Sequence, residues 1–357
     1  MKINILLNNN FFKDHCTYCF IYPIIKSFNL IKECNVSINL VYSLTKESFD
    51  CDTLIIDSRF DGIEENKKFF LKVLNKNLTK KLKLIFADNA DNSGQIKNDF
   101  LEICNIYWKG QILKRKKEYM KSHYGGRLFT DYYRNEFKIK DKNEQKTVPV
   151  KSSKLLNKII VSWNMGLVDH GYYSHIKQKL FSIFNNRLLI FNSTNYYSPS
   201  NQRSKNISCR IGTNYDRETV QFQRKKISNI LKQYTKIEKI SRFEYLNEIK
   251  NSKFVFSPFG WGELCPRDFE TFLYGGILIK PEMKTIQTWP NWYIPEQTYL
   301  PVSWKLNGLK NRLTYFIENY KILSKIAIQG QKKYLYYTTK KKSKEIFTKR
   351  FLKLKKK

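Results

Sequence analysis

The sequence predicts an α/β chain built from two Rossmann-like halves that face one another. Three observations carry this reading. The chain has 357 residues, enough for two domains with separate cores. Short apolar runs alternate with helix-spaced segments, the rhythm of parallel strands joined by crossover helices. That rhythm breaks once, over Lys138–Lys154 around Pro149, and then restarts.

In the first half, Lys2–Leu7 reads as a strand, 15–31 as a helix, and Val36–Tyr42 and Thr53–Asp57 as strands. A helix over 65–76, a strand over Leu82–Ala87 and a helix near 96–105 follow. The polar stretch Lys138–Lys154 reads as an interdomain linker. Beyond it come a strand at Lys158–Trp163, a helix at 172–184, a strand at Arg187–Asn192 and a helix at 216–234. Ser241-Arg242-Phe243-Glu244 is a capping box, in which Ser and Glu side chains each satisfy a free backbone N–H, and it opens a helix ending near Asn251. Lys253–Ser257 is a strand, and Pro266–Tyr274 a helix with Pro where no N–H is needed. Gly276–Lys280 is a strand, and a last long helix runs from Leu309 to about Tyr337. The limits implied are an acceptor-side domain at 1–145, a second domain at 155–305, a C-terminal helix at 306–339 and a basic tail at 340–357.

Composition excludes several classes. Lys and Arg total 65 against 31 Asp and Glu, a net charge of +34, yet 41% of residues are hydrophobic and 15% aromatic. That is far too apolar for a disordered polycation. No run approaches a membrane span, and the apolar start Met1–Leu7 is short for a signal-peptide core. The seven cysteines, at 16, 19, 34, 51, 104, 209 and 265, have no framework spacing, so reduced thiols and a cytoplasmic location are expected. Cys16-x-x-Cys19 lacks a second pair and reads as two half-buried thiols on a helix. A genome-wide Lys bias explains much of the charge, which nevertheless attracts phosphates and anionic surfaces. The tail holds ten Lys/Arg and one acid, interleaved with Phe347, Phe351, Leu352 and Leu354. It reads either as a solvated end or as an amphipathic segment lying peripherally on an anionic membrane.

The segment richest in chemistry runs from Ser252 through Phe259-Gly260-Trp261-Gly262-Glu263-Leu264-Cys265-Pro266-Arg267-Asp268-Phe269-Glu270 to Lys280. A strand ends, a glycine loop follows and a helix begins, the crevice in which doubly wound sheets bind ligands. Gly260 and Gly262 permit close backbone approach. Arg267 and the free N–H groups of the helix start favour a phosphate. Glu270, one turn on, has the acceptors that a vicinal diol needs, and Glu263 has the same for a sugar ring. An ordinary surface ion pair of Arg267 with either glutamate is the bland alternative.

This stretch resembles the nucleotide-sugar-binding region of GT-B glycosyltransferases, especially the exostosin-like and group 1 types. Glu270-Thr271-Phe272-Leu273-Tyr274-Gly275-Gly276-Ile277-Leu278-Ile279 looks like their Glu-Ala-x-x-x-Gly-x-x-x-Ile, and Leu264-Cys265-Pro266-Arg267 looks like an exostosin Leu-Cys-Pro-Arg. The likeness extends more weakly over 155–305, with Tyr215-Asp216-Arg217 and Trp289-Pro290. Tyr124-Gly125-Gly126-Arg127-Leu128-Phe129-Thr130-Asp131-Tyr132-Tyr133 resembles a segment of some bacterial and viral members. The resemblance implies a nucleotide-sugar donor, a glycan or glycolipid acceptor, and diphosphate contacts near Arg210, Arg217 and Arg224, with Arg217 favoured. Lys280 would join them. Six residues separate Glu263 from Glu270 where many retaining members have seven, so stereochemistry stays open.

A transferred sugar needs a base for the acceptor hydroxyl. Asp88 and Asp91, in the turn after a buried-type strand, are the candidates beside Glu263; His15 is a rival, and plain Asp/Asn/Ser/Gly turn chemistry the alternative. Asp50-x-Asp52 precedes its strand, which suits a turn better than a metal site, so neither an obligatory metal nor a cofactor is expected. Two other function classes remain open: a basic nucleic-acid-binding protein, for which no specific recognition motif is evident, and a catalytically inactive sugar-binding module.

Overall fold

The computed structural model describes residues 1–79, 81–184, 187–339 and 342–356. Among these, a six-stranded parallel sheet is built from β1 (Lys2–Leu6), β2 (Ser37–Val41), β3 (Thr53–Asp57), β4 (Lys83–Asp88), β5 (Ile106–Lys109) and, after an edge strand β6 (Gln111–Leu113) that belongs elsewhere, β7 (Ile159–Val161). Its order is β2-β1-β3-β4-β5-β7. Ile5, Ile55, Ile85 and Ile106 stand in register across it. Because side chains alternate along a strand, Ile55 and Ile85 enter one buried cluster while Leu54, Ile56, Leu84 and Phe86 enter another on the opposite face.

The second sheet is also parallel, in the order β12-β10-β9-β8, from β8 (Lys205–Ser208), β9 (Ser252–Phe256), β10 (Ile277–Pro281) and β12 (Leu300–Val302). β11 (Ile286–Thr288) leaves it to pair antiparallel with β6, so a two-stranded ribbon links the halves. The loops after β4 and β9 meet, which sets the carboxyl ends of both sheets toward a shared cleft. This is the GT-B arrangement.

Four expectations need correcting. The strand at 159–161 pairs with β5, so it completes the first sheet and does not open the second domain at 155. The stretch 138–154 is no free linker. The Gly125 N–H donates to the Gln145 carbonyl at 2.7 Å, and Asp141 accepts from the Thr219 N–H at 2.8 Å, capping the Glu218–Leu231 helix. Arg187–Asn192 forms a short 3-10 turn and irregular chain; the second sheet's edge is instead Lys205–Ser208, too polar to stand out by periodicity. The last long helix divides at Asn319 into Leu309–Glu318 and Tyr320–Thr338.

The tail is the largest departure. Lys340, Lys341 and Lys357 lie outside the described residues, but Lys342–Lys356 is a helix that returns to the first half. Phe347 and Phe351 pack on Trp163, and Phe351 on Trp108 as well. Phe347, Phe351 and Leu354 are buried, and Arg350 donates to the Val161 carbonyl. The apolar side chains that looked ready for lipid are therefore core residues. Phe351→Ala is expected to cost about 3–5 kcal/mol, the range for truncating a buried aromatic, read as a lowered denaturation midpoint. A solvated tail would leave the midpoint unchanged.

Candidate active site

The cleft is closed at one point by direct contact. A Cβ at Gly262 would sit 2.2 Å from the Asp91 carbonyl oxygen, so only glycine lets the β9 loop reach the β4 loop. Glu263 follows and is buried. Its Oε1 accepts from Ser93 Oγ at 2.5 Å and its Oε2 from Gln111 Nε2 at 3.0 Å. Burial raises the Glu263 pKa, opposed by Arg127 and the Ser93 hydrogen bond. Burial likewise lowers Arg127 to about 10, with Glu263 pulling it back up. Gly125 and Gly126 adopt left-handed backbone (φ 68° and 77°), the turn that delivers Arg127 to the helix Leu128–Phe137. Arg217 joins this seam: it donates to the Gly125 carbonyl at 2.7 Å and to Gln145 Oε1 at 3.1 Å. Gly262, Glu263 and Arg217, expected at the donor, thus hold the two halves together.

Two more expected residues are structural. Asp88 is buried against Lys109 at 2.6 Å and the Tyr107 hydroxyl at 2.7 Å. Burial alone would raise its pKa; Lys109 and the hydrogen bonds outweigh that and hold it below the usual carboxylate range. A base so occupied cannot reach an acceptor hydroxyl. Lys280 is fully buried in an ion pair with Asp268 at 3.0 Å, and Asp268 also accepts from the Tyr293 hydroxyl at 2.6 Å. Its ammonium is aimed inward, away from any ligand. Asp50 and Asp52 lie at the opposite, amino end of the first sheet, bonded to the Lys2 ammonium at 2.6 Å and the Lys2 N–H at 2.7 Å.

Asp91 remains at the cleft. It is half-buried, accepts from Cys16 Sγ at 3.4 Å, and helps line a cavity of about 50 Å³ with Gln111, Asn164 and Leu264. His15 sits one residue before Cys16, with Nε2 3.5 Å from Cys19 Sγ; burial lowers its pKa while Asp91 and Asp14 oppose the shift.

A larger opening lies on the second half. A cavity of about 480 Å³ is lined by Arg210, Arg224, Lys239, Arg242 and Arg267, with Asp216 its lone acid among the described lining residues. Tyr215, Tyr245 and Trp261 supply aromatic walls. It sits beyond the carboxyl ends of β8 and β9, at the starts of the helices Arg242–Lys250 and Pro266–Leu273. Arg210 is held by Glu248, with Nε–Oε1 at 3.0 Å, and Arg242 by Glu270 at 2.9 Å. Arg224 is fixed by the Gly212 and Phe259 carbonyls at 2.6 and 2.7 Å, and stacks 4.7 Å from the Tyr215 ring. Arg267 donates to the Tyr245 hydroxyl at 3.3 Å and to the Arg210 carbonyl. Among the described residues no carboxylate pairs with Arg224, Lys239 or Arg267.

Of the expected donor residues, Arg267 lines this cavity, Gly260 borders it beside Tyr215 and Arg224, and Glu270 stands behind it through Arg242 and Tyr245. Lys239, Arg242, Tyr245 and Trp261 were missed. The signal available for Arg242 was its place immediately after the Ser241 cap, where the dipole of a helix start meets a strand-end loop.

No family model matches the chain, and no curated protein does. Solved structures overlap it weakly. An alpha-glucosyltransferase in complex with UDP and a 13-mer DNA is 10% identical with a TM-score of 0.45, covering 100% of both chains. Anabaena HepE in complex with UDP and glucose is 9% identical at 0.48, over 99% of this chain and 98% of that one. Sucrose-phosphate synthase from Thermosynechococcus elongatus is 9% identical at 0.46, over 100% and 98%. The fold stands on this chain's own strand pairing.

Asp88→Asn separates a structural carboxylate from a catalytic one. It strands the buried Lys109 and is expected to cost about 3–5 kcal/mol in denaturation. A depressed carboxylate contributes stability that is present above its unfolded value near pH 4 and lost as the pH falls through its folded value, so the wild-type advantage over the variant should shrink in acid. A variant of unchanged stability would return Asp88 to the list of bases.

Proposed function

We propose that the chain is a glycosyltransferase that takes a sugar from a nucleotide-sugar and passes it to a hydroxyl of a glycan or lipid-linked acceptor. One observation carries this: a cavity with three cations, Arg224, Lys239 and Arg267, that have no carboxylate partner among the described residues, flanked by aromatic rings at the carboxyl ends of a parallel sheet. Such a site suits a diphosphate, with Trp261 or Tyr215 available to stack a base and the buried Glu270 holding Arg242 and Tyr245 at the cavity wall. In transfer, an acceptor oxygen bonds to the anomeric carbon, the bond to the diphosphate breaks, and the leaving group gathers charge. Preformed guanidinium groups favour that charge without reorganising. The acceptor proton goes to a base at the cleft, for which Asp91 is our candidate. Arginine and lysine here take the part a divalent cation plays elsewhere, so we expect no metal requirement.

The acceptor reading rests on a second cavity, of about 770 Å³, at the carboxyl ends of β1, β2 and β3. Asn8, Asn9, Asn10 and Asn66 offer amides, and Tyr42 and Phe69 offer ring faces. Its charges nearly balance, with two cations, Lys13 and Arg59, against three acids, Asp14, Asp61 and Glu65, a slight acidic excess that favours an uncharged polyhydroxyl ligand over an anionic one.

Three tests follow from this. UDP-, GDP-, ADP- and CMP-sugars, screened by thermal shift, should include one that raises the melting point in proportion to ln(1 + [L]/Kd); no shift with any would remove the donor. With that donor, Arg267→Ala should lower kcat/KM by about 10²–10³-fold, the scale for losing one stabiliser of transition-state charge, with the fold retained. A near-normal rate would dismiss the pocket as the donor site. Turnover should persist in EDTA, and strict dependence on Mg²⁺ or Mn²⁺ would overturn metal independence.

A further inference from the structure

With the tail's apolar residues buried, an exposed apolar stripe elsewhere stands out. The helix Ser174–Phe184 turns Phe181 inward against Phe11, and its Gln178 amide donates to the Phe12 carbonyl at 2.7 Å. Its other face carries Ile176, Leu180, Ile183 and Phe184 outward, with Tyr173 one residue before the helix and Phe191 beyond it. The spacing i, i+4, i+7, i+8 puts the four helical residues on one stripe. Ile183 is 62% and Phe184 68% exposed, so water bears most of both side chains. Clustered large apolar groups of this kind mark an interaction surface, whereas isolated ones do not.

The charge around the stripe selects the partner. From His170 to Tyr215 the sequence contains no Asp or Glu and six Lys/Arg. Lys179 and Arg187 are exposed on the same segment, Arg187 lying 3.9 Å from the Phe28 ring centre. A second copy would bring an identical acid-free, cationic face against this one, between chains of net charge +34 each. A nucleic acid would satisfy the cations but leave the apolar stripe in water. We infer that the Ser174–Phe184 face docks on an anionic lipid bilayer, its apolar stripe entering the headgroup region and its cations meeting lipid phosphates. The first turn of this helix adjoins the candidate active site, since Arg242, the partner of Glu270, also donates to Ser174 Oγ at 3.4 Å. Docking would therefore hold the cleft beside the membrane, although the inference itself stands without the donor assignment.

The test compares wild type with an Ile183→Gln/Phe184→Gln double variant, which keeps the net charge and good helix formers at both positions. Vesicles are 70:30 phosphatidylcholine:phosphatidylserine or phosphatidylcholine alone, and circular dichroism melts check folding. Wild type should co-sediment with the anionic vesicles and much less with neutral ones, and the double variant's partition coefficient should fall about tenfold or more, as expected for removing two inserting apolar side chains. Because both proteins carry the same charge, the difference reads apolar insertion alone. Equal partition of the two proteins, or no vesicle binding by wild type, overturns the proposal. A concentration-dependent dimer abolished by the double substitution, without vesicle binding, also overturns it and assigns the face to a second copy.

Discussion

The contact between the β4 loop and the β9 loop is the constraint on which the cleft depends. Gly262 passes so close to the Asp91 carbonyl that no side chain fits, and Glu263 then spends both carboxylate oxygens on Ser93 and Gln111 of the first half. Arg127 supplies the counter-charge for that buried carboxylate. Since a buried charge is tolerated only when paired and hydrogen-bonded, these residues form one unit. The spacing of the two sheets, and hence the width of the cleft, follows from it. Arg217 reinforces the same seam from the second half.

Two groups of cations in this protein differ in what stands opposite them. Lys109 and Lys280 are wholly buried and each answers one carboxylate, Asp88 and Asp268, so their charge is used up inside the fold. Among the described residues, Arg224, Lys239 and Arg267 line a cavity whose one acid is Asp216, and none of the three pairs with a carboxylate. A lysine-rich composition makes both kinds look alike in the sequence. Their difference lies in whether a carboxylate sits within reach; Arg224, itself buried, is held by two backbone carbonyls instead.

A similar division governs the apolar residues. Phe347, Phe351 and Leu354, spaced among lysines, have the pattern of a surface-seeking amphipathic helix, yet all three are buried, the two phenylalanines against Trp108 and Trp163. The helix Ser174–Phe184 has an equivalent pattern, and there only the Phe181 side is covered. Periodicity states that a helix has an apolar stripe; it is silent on whether the stripe meets protein or something outside it.

Local patterning along the chain specifies the α/β class, most strand positions in the first half, the capped helix at Ser241, and the strand–loop–helix junction from Ser252 to Glu270. Those signals are local: alternation, cap chemistry and glycine placement act over a few residues. Long-range packing places 159–161 in the first sheet and turns the tail's apolar residues into core. It also decides that Asp88, Glu263, Arg217 and Lys280 serve the fold while Arg224, Arg242 and Trp261 surround the open cavity. These depend on partners from 12 to 189 residues away, such as Asp268 for Lys280 and Val161 for Arg350. The role of a charged side chain is set by what stands opposite it, and short-range patterning carries no record of that.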